Sequence, residues 1–131
     1  MSENYTYTTR VYYEDTDAGG IVYYANYLKF IERARTEMIY KQLELTHQKL
    51  KDQYDVIFVV RICNIKYHKS AKFEDILTVN TNITKKSLVR ISMLQEVRKK
   101  NELIVGAEVE LAIINSKGEV KKIPEELLKK I

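Results

Sequence analysis

The sequence predicts an α+β fold, with an antiparallel sheet of about five strands set against one long helix. Three observations lead there. Apolar and polar residues alternate with period two near the N-terminus and again through most of the second half. A single long stretch, from about Asn26 to Leu45, carries the three- and four-residue spacing of a helix. The breaks between the later strands are short, which leaves no room for the crossover helices that a parallel sheet needs.

The elements follow in order. Tyr5, Tyr7, Thr9, Val11 and Tyr13 alternate with Thr6, Thr8, Arg10 and Tyr12, and their β-branched and aromatic character reads as a first strand. Glu14 to Gly20 breaks the alternation with acidic residues and a Gly-Gly pair, which marks a loop. In the helical stretch Tyr27, Phe30, Ile31, Ala34 and Met38 share one side, while Lys29, Glu32, Arg33 and Thr36 lie toward the other. No Gly or Pro interrupts it, and the Met and aromatic stripe is read as core packing. Strands come next, from Tyr54 to about His68, through Leu77–Ile83, through Val89–Val97 and, most cleanly, from Leu103 to Ile113. Lys85-Lys86-Ser87 and Lys99-Lys100-Asn101 are hairpin breaks, and Asn115-Ser116-Lys117-Gly118 is a turn. Pro124-Glu125-Glu126 opens a short final helix, because Pro suits a first helical turn.

At 131 residues the chain is expected to be one domain over 1–131. Its 45% apolar and 31% charged residues are ordinary for a packed globular protein, which excludes bulk disorder. One helix on one sheet face makes a modest core, so packing between subunits is expected to add burial. Cys63 is the only cysteine, so no intramolecular disulfide forms and a reducing compartment is the natural reading. Met1-Ser2-Glu3-Asn4-Tyr5 lacks the basic-then-apolar pattern of a leader. Apolar runs such as Val56 to Val60 fall far short of the roughly 20 residues that span a bilayer. A cytoplasmic location is expected. The net charge of +4 suits an anionic ligand, but it is spread along the chain without the basic block of a nucleic-acid-binding arm.

The segment that points to chemistry is Tyr12-Tyr13-Glu14-Asp15-Thr16-Asp17-Ala18-Gly19-Gly20-Ile21-Val22-Tyr23-Tyr24-Ala25-Asn26-Tyr27. It reads as a strand end, an acidic loop and a helix start. A helix start leaves backbone N–H groups unpaired, and they stabilise developing negative charge. A carboxylate beside them can attack a carbonyl or activate water, so the pair suits acyl transfer. From these residues alone the preferred reading is plainer, since an Asp in a loop before a helix is usually a turn former or a cap.

The segment from Tyr13 to Glu37 resembles the signature of the 4-hydroxybenzoyl-CoA thioesterase-like hotdog family. It is most similar to the Tol–Pal-associated acyl-CoA thioesterases, through Tyr-Tyr-Glu-Asp-Thr-Asp-Ala-Gly-Gly and through Glu32-Arg33-Ala34-Arg35-Thr36-Glu37. A second match covers Ala71-Lys72-Phe73-Glu74-Asp75-Ile76-Leu77-Thr78-Val79. The resemblance implies a hotdog fold, in which the sheet wraps around the long central helix. It also implies sites at dimer interfaces and an enzyme that hydrolyses acyl-CoA to a free acid and CoA. No metal or redox cofactor is implied. The family carboxylate maps onto Asp17, as nucleophile or as base for water. The polarising backbone N–H maps onto Tyr24, and Tyr13 matches a tyrosine that lines the site. The Tol–Pal-associated members usually have His where this chain has Tyr24, which puts a His-dependent proton transfer in doubt. Ser70 replaces a common Pro and resembles a hydroxyl-bearing position that orients water. Lys85 and Lys86 align with a basic turn that binds CoA phosphates, although a solvated hairpin tip accounts for them almost as well.

Other residues have plainer readings. His47 is placed near the end of the long helix as a surface residue, and His68 at a strand end. Two separated histidines without a Cys-rich spacing make no metal site. Cys63 is read as a small buried hydrophobe in an apolar strand. Glu32 is expected to pair with Lys29 or Arg35. Two functional alternatives stand beside hydrolysis. One is a non-catalytic module that binds acyl-CoA or acyl carrier protein. The other is a hotdog dehydratase, which would want a His-centred site. Acyl length, aliphatic against aromatic acyl groups, CoA against acyl carrier protein, and dimer against tetramer stay open.

Overall fold

The computed structural model of the chain describes residues 4–131. The first three residues of the N-terminal pentapeptide, in which no leader pattern is read, lie outside the described residues. Strand β1 (Tyr5–Arg10) leads through a 3-10 turn at Tyr13–Asp15 and a second at Tyr24–Asn26 into helix α1 (Tyr27–Leu43). Helix α2 (His47–Tyr54) follows, then strands β2 (Ile57–Tyr67), β3 (Ile76–Lys86), β4 (Arg90–Lys99) and β5 (Glu102–Ile114), and a last turn of helix α3 (Glu125–Leu128). All neighbouring strands are antiparallel, in the order β1-β3-β4-β5-β2. The five strands and one long helix meet the expectation from period and break length.

One face of the sheet explains the alternation. In β4, Ile91, Met93, Gln95 and Val97 are buried and their neighbours are not. Leu77, Val79, Thr81 and Ile83 do the same in β3. Against them lies the α1 stripe of Tyr27, Phe30, Ile31, Ala34, Met38, Ile39 and Leu43. Each large side chain buried there contributes about 1.5–3 kcal/mol, far more than any single helix propensity, so packing holds α1 in place. Gln95 is the polar exception in the core. Its Nε2 donates to the Ile31 carbonyl and to Thr81 Oγ1, both at 2.9 Å, which ties the helix to the middle of the sheet.

Three local readings are corrected. The long helix does not reach His47. Glu44 takes a left-handed conformation (φ 54°) and ends α1 with its N–H on the Tyr40 carbonyl. Thr46 then caps α2 by accepting from the Lys49 N–H, so His47 begins a second helix that runs to Tyr54. Cys63 is exposed, because β2 is an edge strand whose inner face α1 does not cover. Glu32 pairs with neither Lys29 nor Arg35; it accepts from Thr36 Oγ1 at 2.9 Å, four residues on along the same helix. Pro124 does open the final helical turn.

Candidate active site

Asp17 lies at the tip of a tight hairpin between the end of β1 and the start of α1. Thr16 bridges Val22, the Asp17 N–H donates to the Ile21 carbonyl at 2.9 Å, and the Tyr23 N–H donates to the Asp15 carbonyl at 2.9 Å. These cross-links join the aspartate and the helix start into one unit. Asp17 is exposed, and its Oδ1 accepts from the Gly19 N–H at 2.8 Å. That bond orients the carboxylate and leaves Oδ2 without a protein partner among the described residues. Gly19 suits its place, since a Cβ there would sit 3.2 Å from Asp17 Oδ1. Gly20 closes the turn at φ +82°, a conformation that glycine adopts without strain.

The helix start supplies donors. Tyr24 and Ala25, the first two residues of the 3-10 turn, have no hydrogen-bond acceptor for their N–H groups among the described residues. The turn's third residue, Asn26, is buried, and its Nδ2 donates to the Asp15 carbonyl at 2.9 Å. Asp15 is itself buried and accepts the Tyr12 N–H on Oδ2 at 2.8 Å. One buried aspartate and one buried asparagine therefore hold the exposed aspartate and the free amides in register. Neither was singled out from sequence. The available signal was a polar Asn within the Tyr-Tyr-Ala-Asn-Tyr run at the expected helix start.

A third segment closes the site. The Ala71 N–H donates to Tyr27 Oη at 3.0 Å, and the Ala71 carbonyl accepts the Val22 N–H at 2.9 Å. Burial raises the Tyr27 phenol above its ordinary value, against the Ala71 N–H that lowers it, so it stays neutral. Ser70 precedes this anchor, exposed, with a hydroxyl that has no partner among the described residues. Beyond it, Asp75 accepts the Lys72 N–H at 2.8 Å and pairs with Lys99 at 3.1 Å. Burial raises the Asp75 carboxyl, but the Lys72 N–H and the Lys99 ammonium together bring it below the usual carboxylate range.

Aromatic rings surround this centre. Tyr13, 79% exposed, stacks on Phe73 with centroids 4.0 Å apart. Tyr24, 60% exposed, touches Tyr23 and meets Tyr67 of β2 edge-on at 5.9 Å. Tyr13, Asp17, Tyr24 and Ser70 thus belong to one end of the fold. Lys85 and Lys86 do not. They end β3, whose other end at Ile76 adjoins the Asp75 turn, and ten residues of strand separate the two by about 33 Å. Lys86 is also engaged, with its Nζ donating to the carbonyls of Leu128 at 3.0 Å and Ile131 at 2.7 Å.

Comparison with known proteins places this arrangement. The pattern of the thioesterase superfamily matches residues 19–105. The chain belongs to that superfamily. An acyl-CoA thioesterase YbgC of Haemophilus influenzae is 37% identical over 94% of this chain and 89% of its own length. An acyl-CoA thioester hydrolase YbgC of Escherichia coli is 42% identical over 80% of this chain and 78% of its own. Among solved structures, a probable thioesterase from Bartonella henselae superposes with a TM-score of 0.88 at 32% identity, covering 93% of this chain and all of that one. The 4-hydroxybenzoyl-CoA thioesterase of a Pseudomonas strain superposes at 0.90 and 19% identity, over 98% of this chain and 99% of that one, which speaks to fold alone. The fold of this superfamily member is the hotdog fold. Among the described residues no helix is long and apolar enough to cross a membrane.

Proposed function

We propose that the chain hydrolyses acyl-CoA thioesters to a free acid and CoA, in the cytoplasm, as a single catalytic domain that works at least as a dimer. The observation that carries this reading is the pinned Asp17 carboxylate with its free Oδ2, cross-linked to a helix start with two unpaired amides. Thioester hydrolysis needs a base or nucleophile at the carbonyl carbon and donors at the carbonyl oxygen. Asp17 Oδ2 supplies the first, either by taking a proton from the attacking water or by attacking directly. The Tyr24 amide supplies the second, whatever the side chain, so a tyrosine in place of histidine does not remove it. Collapse of the tetrahedral intermediate expels the CoA thiolate, which takes up a proton as the thiol. On the direct-attack route the acyl group stays on Asp17 as an anhydride, which water then hydrolyses to the free acid and the regenerated carboxylate. Ser70 and Tyr13 border the site and orient water and substrate. The YbgC relatives, which carry acyl-CoA thioesterase or hydrolase names, support CoA as the carrier, and acyl carrier protein is an alternative carrier of the same thioester.

Asp17→Asn tests the reading. Asn keeps the shape and the bond from Gly19 but supplies no carboxylate. Turnover of acyl-CoA should fall by about 10²–10⁴-fold, with the thermal midpoint nearly unchanged. Tyr24→Phe, which keeps the backbone donor, should be much milder. Near wild-type turnover in Asp17→Asn would overturn the mechanism, and no CoA release from any acyl-CoA would leave only a binding module.

A further inference from the structure

The chain leaves β2 at Tyr67 and enters β3 at Ile76, and the segment between them carries Ser70. Both ends of that segment are held by ordinary bonds. The His68 and Lys69 N–H groups donate to the Ile104 carbonyl at 2.8 and 3.1 Å. Further on, the Lys72 N–H donates to Asp75 Oδ2 at 2.8 Å, the Phe73 N–H to the Gly20 carbonyl at 3.3 Å and the Glu74 N–H to the Val11 carbonyl at 3.0 Å. The Ser70–Ala71 peptide lies between these two sets. Its N–H has no backbone acceptor among the described residues and donates instead to Tyr27 Oη at 3.0 Å.

Tyr27 is the first residue of α1 and is only 2% exposed. Its ring is fixed by Phe30, edge-on at 6.2 Å, and by Tyr67, tilted at 6.0 Å. A phenylalanine would fill that core position equally well, so packing accounts for the ring and not for the oxygen. What the oxygen does is orient one peptide. The peptide group is planar, so anchoring the Ala71 N–H fixes the plane that follows Ser70 and with it the ψ angle of Ser70. Ala71 is fully buried, so solvent does not stand in for the phenol. The Ala71 carbonyl meanwhile accepts the Val22 N–H at 2.9 Å, on the hairpin that carries Asp17. We propose that Tyr27 is a positioning residue, whose hydroxyl oxygen holds the Ser70–Ala71 peptide and through it aims the Ser70 hydroxyl relative to Asp17 and the Tyr24 amide. The inference rests on the proposed hydrolysis, in which Ser70 orients the attacking water, and Tyr27 acts through Ser70 without being a reacting group.

The test is a double-mutant cycle of Tyr27→Phe and Ser70→Ala, with kinetics on the acyl-CoA that wild type turns over fastest in a panel from acetyl-CoA to palmitoyl-CoA plus benzoyl-CoA. Tyr27→Phe keeps the ring and should lower kcat about tenfold, with KM changed by less than about twofold, because the misplaced group acts on the reacting water. Ser70→Ala should cost a similar factor, and adding Tyr27→Phe to it should cost nothing more, since the two act as one unit. A purely structural role predicts the opposite, equal losses in both backgrounds. Additive losses, or an unchanged kcat in Tyr27→Phe, would overturn the proposal. In wild type the Ala71 amide should exchange with solvent at least about tenfold more slowly than the Tyr24 amide, and equal rates would overturn it even if Tyr27→Phe failed to fold. A chain that loses turnover in Asp17→Asn yet is indifferent to Tyr27→Phe keeps the hydrolytic reading and loses this inference. A wild type that releases CoA from no member of the panel loses both.

Discussion

Burial at the start of α2 lowers the His47 imidazole below the ordinary histidine value; the Arg35 charge adds to this and Glu32 opposes it. The unfolded chain then binds a proton at higher pH than the folded one does. The contribution of His47 is therefore intact above the unfolded value of about 6.5 and is lost as pH falls below it toward the folded value. His47→Gln should flatten the drop in thermal midpoint between about pH 7.5 and pH 5. An equal drop in the variant would show that other groups govern acid sensitivity. His47 also marks a limit of reading single residues. Its spacing placed it on the long helix, because nothing in Leu43-Glu44-Leu45 announces a left-handed Glu44. Cys63 failed for a different reason. Its apolar strand suggests a buried side chain, but whether β2 is covered depends on what lies beyond the chain's own α1. The loop that carries Asp17 is legible because a long local motif with a Gly-Gly pair surrounds it. Asp15, Asn26 and Tyr27 were not legible as its supports, since their partners are set by the folded hairpin and by Ala71, 44 residues from Tyr27.

At the scale of elements, β3, β4 and β5 were legible because a single covered face imposes period two on each of them. The end of β3 carries more than its sequence signalled. Lys86 reaches the carbonyls of Leu128 and Ile131 and so fastens the α3 turn to the β3–β4 hairpin, whereas Lys85 is exposed with no hydrogen bond or ion pair among the described residues. The two lysines should separate by experiment. Lys86→Met should lower stability by about 1 kcal/mol, the worth of a charged hydrogen bond at a partly open site, and should speed proteolysis of the C-terminal turn. Lys85→Ala should leave the thermal midpoint in place and raise KM for acyl-CoA, more so at low salt where charge is less screened. An unchanged KM in Lys85→Ala with turnover intact would assign the hairpin tip to solvent. Because the tip stands about 33 Å along β3 from the Asp75 turn, a KM effect would also mean that Lys85 serves the site of another copy.

The whole molecule has one side that its own chain leaves unfinished. β2 is an edge strand of 11 residues, long enough to offer a full row of unpaired backbone groups. Its inner face shows Val60 at 47% and Tyr67 at 45% exposure, with Cys63 between them. Beside that face runs a stripe of α1 that includes the exposed Leu28 and Glu32 and the partly buried Arg35. A second copy lying antiparallel along β2 would pair the edge, cover the exposed apolar residues and present an identical patch in return, as a two-fold interface requires. Tyr24 and Tyr67, in ring contact beside the Asp17 hairpin, would sit at one end of such a seam, and the proposed catalysis would then depend on its closure. Cys63 occupies the middle of β2, so a substitution there acts on both sides of a two-fold seam. Cys63→Arg should convert a sedimenting dimer to a folded monomer and remove acyl-CoA turnover with it. In wild type the Cys63 thiol should react slowly with a thiol reagent at high protein concentration and quickly on dilution. A wild-type chain that sediments as a fully active monomer, with its thiol equally reactive at every concentration, would show instead that β2 is a free edge and that Asp17 works without a second copy.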